Sequence, residues 1–224
     1  MAFTICFEGV DGSGKTTQIE MLFSKLLKMS RSASIRSYPV YESFFGKELG
    51  ELLSGTNRQF TASDLDPKSM ALWYALDRWL DYQENIRLFK NEGFLLLNRY
   101  TLSSMVYQSL RNDNPEIMKW VDRLEHEILG LPRPDLYILF DIIPEISSTN
   151  ILSKVERPYI GDGKADVYED DIELQQKARF LYLELAKIDK KIQVINCYEQ
   201  GKMLSQQMIH EKVLSVLDYI GLLR

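Results

Sequence analysis

The stretch Phe3-Thr4-Ile5-Cys6-Phe7-Glu8-Gly9-Val10-Asp11-Gly12-Ser13-Gly14-Lys15-Thr16-Thr17 decides the fold. Its first five residues form an apolar run rich in strand formers, which suits a strand buried on both faces of a parallel sheet. Beyond it, Ile19, Leu22, Phe23, Leu26 and Leu27 recur at the spacing of one helical face. Between strand and helix lies Gly9-Val10-Asp11-Gly12-Ser13-Gly14-Lys15-Thr16, which fits G-x-x-x-x-G-K-[ST] at every fixed position. Glycines reach backbone angles closed to other residues, so successive N–H groups can converge on phosphate oxygens. The helix that follows presents its unpaired N-terminal donors to the same oxygens. Lys15 brings a compact positive charge to the terminal phosphates, and the Thr16 hydroxyl is a ligand for Mg²⁺. Residues Gly9 to Thr17 are therefore read as a loop that wraps the phosphates of a nucleoside triphosphate, ATP.

Outward from this stretch, strand and helix patterns alternate. Strands are expected at Ser34 to Tyr38, Phe94 to Leu97, Asp135 to Phe140 and Ile192 to Ile195. A short helix is expected near Phe45 to Leu53 and a long one from Pro67 to Lys90. Further helical stripes are Ile117, Val121, Leu124 and Ile128; Leu174, Ala178, Leu181, Leu185 and Ile188; and Ile209, Val213, Val216 and Ile220. Five strands separated by helices imply an α/β fold of three layers, a five-stranded parallel sheet covered on both faces. The 224 residues suffice for one well-buried core and are too few for two full-sized domains. One segment, Glu156 to Asp166, holds Arg157, Pro158, Gly161, Gly163 and Lys164 without any period and reads as a mobile lid.

Charge narrows the partners. The 27 Lys and Arg against 32 Asp and Glu give a net charge of -5, the wrong sign for gripping a nucleic-acid polymer. An anionic ligand must then be met by a local cluster of donors. Cys6 and Cys197 lie in apolar stretches without zinc or redox spacing and read as reduced core residues. Neither a leader before the first apolar run nor a bilayer-length apolar stretch is seen, so the expectation is a soluble, cytoplasmic protein without a membrane partner. His126 and His210 have no catalytic company in the sequence.

The second informative site is Leu95-Leu96-Leu97-Asn98-Arg99-Tyr100-Thr101-Leu102-Ser103-Ser104. A buried strand here delivers Asn98 and Arg99 at its C-terminal end, where open α/β sheets bind ligands. Arg99 offers a planar fork of donors suited to phosphate. An Asn-Lys-x-Asp base-reading motif and an Asp-x-x-Gly strand end are both missing, which speaks against a GTPase switch.

With these motifs in order, the chain resembles the thymidylate kinases of the P-loop nucleoside monophosphate kinases. The resemblance rests on Phe7 to Thr17; on Leu97 to Ser104 with Tyr107-Gln108; on Pro134-Asp135-Leu136, Asp141 and Pro144; on Lys164 to Glu169; and on Tyr182 to Ala186. It implies transfer of the γ-phosphoryl group of Mg-ATP to dTMP, in a single domain with a monophosphate-binding region of about 36–110 and a lid of about 154–168. By the same resemblance Lys15, Arg99, Asp11 and Arg157 are the catalytic candidates, with Asp11 accepting from the sugar 3′-hydroxyl. The substrate site would comprise Asp11, Tyr38, Pro39, Tyr74, Arg78, Arg99, Ser103, Ser104, Tyr107 and Gln108. Tyr74 would stack on thymine and Arg78 reach it, while Tyr107 would crowd a 2′-hydroxyl. Thr16 and, more weakly, Asn98 would serve the metal, and the chain would pair as a homodimer through the long helix with Trp73 and Trp79.

Three positions depart from the family pattern. Asn98 stands where an Asp is usual, Tyr38-Pro39-Val40-Tyr41-Glu42 lacks the arginine that follows the second strand, and Val167 replaces a common lid arginine. Lys154, Arg157 and Lys164 are the lid cations left. A deoxynucleoside kinase, a monophosphate kinase for another base, and a catalytically weak nucleotide-binding module remain open as alternatives at this level.

Overall fold

The computed structural model describes residues 2–55, 60–87, 93–147 and 171–223. Its centre is strand β1 (Phe3–Glu8), flanked in parallel by β3 (Phe94–Asn98) on one side and β4 (Leu136–Asp141) on the other. Outside these lie β2 (Ala33–Ser37), paired to β3, and β5 (Ile192–Asn196), paired to β4, giving the order β2-β3-β1-β4-β5. All five are parallel, and each lies within one or two residues of its expected bounds. Ile5, Phe7 and Leu96 join one apolar cluster and Cys6, Leu95 and Leu97 a second, so alternate side chains of the central strands are buried on opposite faces.

The helices between them are α1 (Lys15–Lys28), α2 (Phe44–Ser54), α3 (Pro67–Asp81), α4 (Thr101–Arg111), α5 (Glu116–Asp122), α6 (Ile172–Ile188) and α7 (Gln206–Tyr219). Helix α1 packs against α7, and α4 lies among α3, α5 and α6. Their starts follow ordinary capping: Ser43 accepts from Gly46 N, Asp66 from Lys68 N and Ser69 N ahead of Pro67, and Ser205 from Met208 N. Gly46 is required where it stands, since a Cβ there would sit 1.8 Å from the Val40 carbonyl oxygen.

Five features differ from the sequence expectation. Helix α4 had been read only as a motif, because its cavity-facing Ser103, Ser104, Tyr107 and Gln108 interrupt the apolar stripe of Leu102 and Val106. A two-stranded ribbon, β6 (Tyr198–Glu199) with β7 (Lys202–Met203), follows β5 and is too short to carry a period. The long helix expected from Pro67 to Lys90 is α-helical over Pro67–Asp81 and continues as a π-helical turn over Tyr82–Ile86, and its expected end at 88–90 lies outside the described residues. The stripe ending at Ile128 is broken by a second π-helical turn, Arg123–Ile128, whose extra residue per turn leaves Ile128 64% exposed and carries Glu125 inside. On α6 the inner face is Leu174, Gln175, Ala178 and Tyr182, which turns Ile188 to solvent.

Candidate functional site

The loop after β1 is shaped by glycine geometry. Gly9 (φ +138°) lies against β4, where a Cβ would come 2.6 Å from the Phe140 carbonyl oxygen, and Gly12 and Gly14 adopt φ +72° and +88°. Helix α1 begins at Lys15 with no side-chain cap, so its first-turn N–H groups face the loop. The Lys15 ammonium crosses the loop and donates to Gly9 O (3.0 Å), Val10 O (2.8 Å) and Ser13 Oγ (3.2 Å). Those oxygens hold the charge at the place where phosphate oxygens would compete for it.

Beside this loop the C-terminal end of β3 supplies Asn98 and Arg99. Asn98 Nδ2 donates weakly to Thr16 Oγ1 (3.5 Å), while Asn98 Oδ1 is buried without a hydrogen-bond partner among the described residues. Arg99 holds a left-handed backbone (φ +63°), uncommon for a non-glycine residue and typical of functional positions. Its Nη2 pairs with Asp11 Oδ1 at 2.7 Å and its Nη1 donates to Ser103 Oγ at 3.1 Å. Burial opposes its charge, yet the neighbouring Asp11 carboxylate leaves the Arg99 pKa well above its ordinary value. The guanidinium is a fixed cation.

Beneath Arg99 the buried Glu8 gathers four donors: Tyr100 N (3.0 Å) and Cys6 Sγ (3.4 Å) on Oε1, Ser103 Oγ (2.6 Å) and Tyr182 OH (3.0 Å) on Oε2. In the sequence Glu8 is only the residue that ends the apolar run of β1. It is in fact the anchor of the Arg99–Ser103 chain. Burial together with the Glu8 charge pushes the Tyr182 phenol well above its usual pKa, so Tyr182 stays a donor.

A cavity of about 530 Å³ runs from Gly12, Ser13, Gly14, Lys15 and Thr16 past Asn98 and Arg99 to Tyr74, Arg78, Ser104 and Gln108. That volume lies within the range that holds a small ligand. Every expected substrate residue lines it: Asp11, Tyr38, Pro39, Tyr74, Arg78, Arg99, Ser103, Ser104, Tyr107 and Gln108. Of the expected phosphate-loop residues, Gly9, Val10 and Thr17 are outside the lining, Val10 being core. Arg157, Lys154, Lys164 and the lid as a whole lie outside the described residues.

Three cavity features were not foreseen. Gln175 on α6 accepts from Asp11 N (3.2 Å) and Tyr107 OH (2.9 Å) through Oε1 and donates to Asp11 Oδ2 (3.1 Å) through Nε2. Adjacent to the apolar Leu174, it carried no signal in a periodicity search. Arg36 in β2 lines the cavity with its Nε 3.5 Å from Asp81 Oδ1, near the position where the family arginine was found wanting. Arg78 is enclosed by Glu125 and Ser104, a constellation that the π-helical turn hid from the sequence.

Comparison with known proteins agrees with this geometry. The family model described as thymidylate kinase matches residues 7–209. A thymidylate kinase of Mycobacterium tuberculosis is 32% identical over 187 residues, covering 81% of this chain and 85% of that protein. A probable thymidylate kinase of Sulfolobus acidocaldarius is 32% identical over 197 residues, covering 87% and 88%. The solved thymidylate kinase of Candida albicans shares the fold with a TM-score of 0.72, at 24% identity over 97% of this chain and 92% of that one.

Proposed function

The chain belongs to the thymidylate kinase family, and from that premise we infer that it transfers the γ-phosphoryl group of ATP to the 5′-phosphate of dTMP, giving dTDP. The observation that carries this is the continuity of one cavity from the phosphate loop to the Tyr74 and Arg78 wall, with Asp11 and Arg99 between. A donor triphosphate on the loop and an acceptor on the far wall meet at those two side chains.

The chemistry asked of these residues is positioning and charge neutralisation. The loop N–H groups and Lys15 hold the donor phosphates, and Arg99 holds the acceptor phosphate at the junction. Asp11 keeps lone pairs for the sugar 3′-hydroxyl while Gln175 and Arg99 fix its carboxylate. Tyr74 stacks on the base, Arg78, Ser104 and Gln108 line it, and Tyr107 crowds the 2′ position of a ribose. Tyr38 and Pro39 close the acceptor side, which falls within residues 36–110, and Arg157 of the lid is the proposed further cation on the transferring group.

The residues at the loop suit Mg²⁺: the Thr16 hydroxyl is exposed beside the buried, unpartnered Asn98 Oδ1, and oxygen donors are what a hard cation takes. Bound there, the ion would offset phosphate charge. We also propose a homodimer through α3, whose Trp73 and Trp79 are only partly buried. A cytoplasmic setting suits the two buried free cysteines. No helix of the described residues is long and apolar enough to cross a membrane.

A panel of nucleosides and monophosphates with Mg-ATP tests the reaction. Phosphorylation of dTMP to dTDP above all others is expected; phosphorylation of nucleosides alone, or of nothing, overturns it. Light scattering during gel filtration tests the dimer, a monomer being the contrary result.

A further inference from the structure

Among the charged side chains that the proposed reaction leaves unused, Glu125 is wholly enclosed. Arg78 donates to it twice, Nε to Oε2 at 2.8 Å and Nη2 to Oε1 at 2.6 Å, and the Thr101 hydroxyl donates to Oε2 at 2.7 Å. Enclosing two ions costs several kcal/mol each in lost hydration, so a buried pair is a weak source of stability compared with apolar side chains of the same shape. What a bidentate pair supplies is orientation. The backbone reinforces that point: Glu125 lies inside the π-helical turn Arg123–Ile128, and such turns recur at functional sites.

The orientation has a chemical meaning at the cavity. A guanidinium carries five N–H donors and no acceptor. Glu125 takes the Nε–Nη2 edge, and the other Nη2 hydrogen goes to Ser104 Oγ at 2.7 Å. Nη1 has no hydrogen-bond partner among the described residues, the guanidinium lies against the Tyr74 and Tyr100 rings, and both Arg78 and Ser104 belong to the cavity wall. Having accepted from Arg78, the Ser104 hydroxyl keeps its own proton to give. This part of the wall therefore offers donors only.

We propose that Glu125 is a positioning residue for base selection: by clamping the Nε–Nη2 edge of Arg78 it aims Nη1, beside the Ser104 hydroxyl, at the acceptor's base, so that a pyrimidine bearing a carbonyl at C4 is accepted and one bearing an amino group is refused. A carbonyl there completes the donors, whereas an amino group sets donor against donor and leaves both unpaired in a buried place. Without the clamp the long Arg78 side chain is free to rotate its donors away, and the same atoms no longer discriminate. The inference rests on the reading that Arg78 faces the acceptor's base.

Glu125→Gln in the full chain tests it, assayed with Mg-ATP against dTMP, dUMP and dCMP. Gln keeps the volume but sets an NH₂ group against the guanidinium. The KM values for dTMP and dUMP are expected to rise together about tenfold with kcat within about twofold, and the preference for dTMP over dCMP in kcat/KM to narrow about tenfold. A folded variant with the parent KM values and preference overturns the role of Glu125. So does an equal loss of kcat/KM across all three acceptors, which is the mark of a merely structural residue. If Glu125→Gln does not fold, Glu125→Asp keeps the charge and withdraws it by one methylene; it is expected to narrow the preference several-fold at unchanged kcat, and an unchanged preference overturns the proposal. The apolar pair Arg78→Met with Glu125→Leu separates the two levels of inference. It is expected to fold and to lose the preference. If it keeps the preference, Arg78 does not read the base and the underlying site reading fails.

Discussion

The two ends of the cavity are built by different means. The donor end is nearly all main chain: three glycines in positive φ, an uncapped helix start and one lysine, contributed by the seven consecutive residues Gly9 to Lys15. The acceptor end is mostly side chain, drawn from β2 and the segment after it, α3 and α4, and Tyr38, Arg78 and Tyr107 are each held by a buried polar partner, Asp81, Glu125 and Gln175. Main chain can meet any triphosphate because phosphates are alike. Side chains are needed where one base must be told from another, and they must then be immobilised.

The largest test of this contrast is Lys15→Met, which removes the cationic side chain of the donor loop and leaves its glycines alone. A fall in kcat of about 10³-fold is expected, equal for every acceptor, with the thermal midpoint little changed; a loss confined to dTMP would break the contrast. Next is Arg99→Lys. A lysine cannot hold Asp11 and Ser103 with one planar fork, and kcat/KM for dTMP is expected to fall about 10²-fold while the KM for ATP stays near the parent value. Asn98→Asp sits at the junction and should be milder. A carboxylate beside Thr16 is expected to lower the Mg²⁺ concentration giving half-maximal rate by a few-fold; an unchanged Mg²⁺ profile would remove Asn98 from the metal site.

The smallest effect concerns acid. His126 and His210 are both pushed below the ordinary 6.5, chiefly by burial. Each is neutral in the fold and takes a proton more readily once unfolded, so their contribution is complete above about pH 6.5 and is lost as pH falls through the folded values. His126 stacks near Tyr100 on the acceptor side, with ring centroids 6.5 Å apart, whereas His210 meets Gln18 of α1 on the donor side at 3.2 Å. Thermal midpoints followed from about pH 7.5 to about pH 5.5 are expected to decline, and to decline less in His126→Gln. A midpoint that rises in acid would contradict the sign.

Legibility in the sequence followed the same division. The loop from Gly9 to Thr16 announces itself because backbone demands fix residue types at fixed spacing, and the five strands because burial on both faces forces apolar runs. The bases of discrimination are less visible. Glu8, Gln175 and Glu125 are buried polar residues whose partners lie 92, 164 and 47 positions away. No local period records such pairings, and beside Glu125 the π-helical turn leaves Ile128, the expected end of the apolar stripe, in solvent. Resemblance to a family supplied Tyr74, Arg78 and Tyr107 as substrate residues, and the cavity places all three together; it supplied nothing about what holds them. Likewise Arg36 lies within β2, ahead of the segment Tyr38 to Glu42 where the family arginine is usual, and its long side chain reaches the cavity from the strand.

The contacts of Lys15 make the loop's own oxygens competitors of its ligand. An arriving triphosphate meets an ammonium already shared among two carbonyls and a hydroxyl, so its affinity is the difference between two sets of oxygens and not the gain from one. Anions with weaker oxygens than a polyphosphate lose that exchange. Selection among anions is thereby built into the contacts of the loop itself.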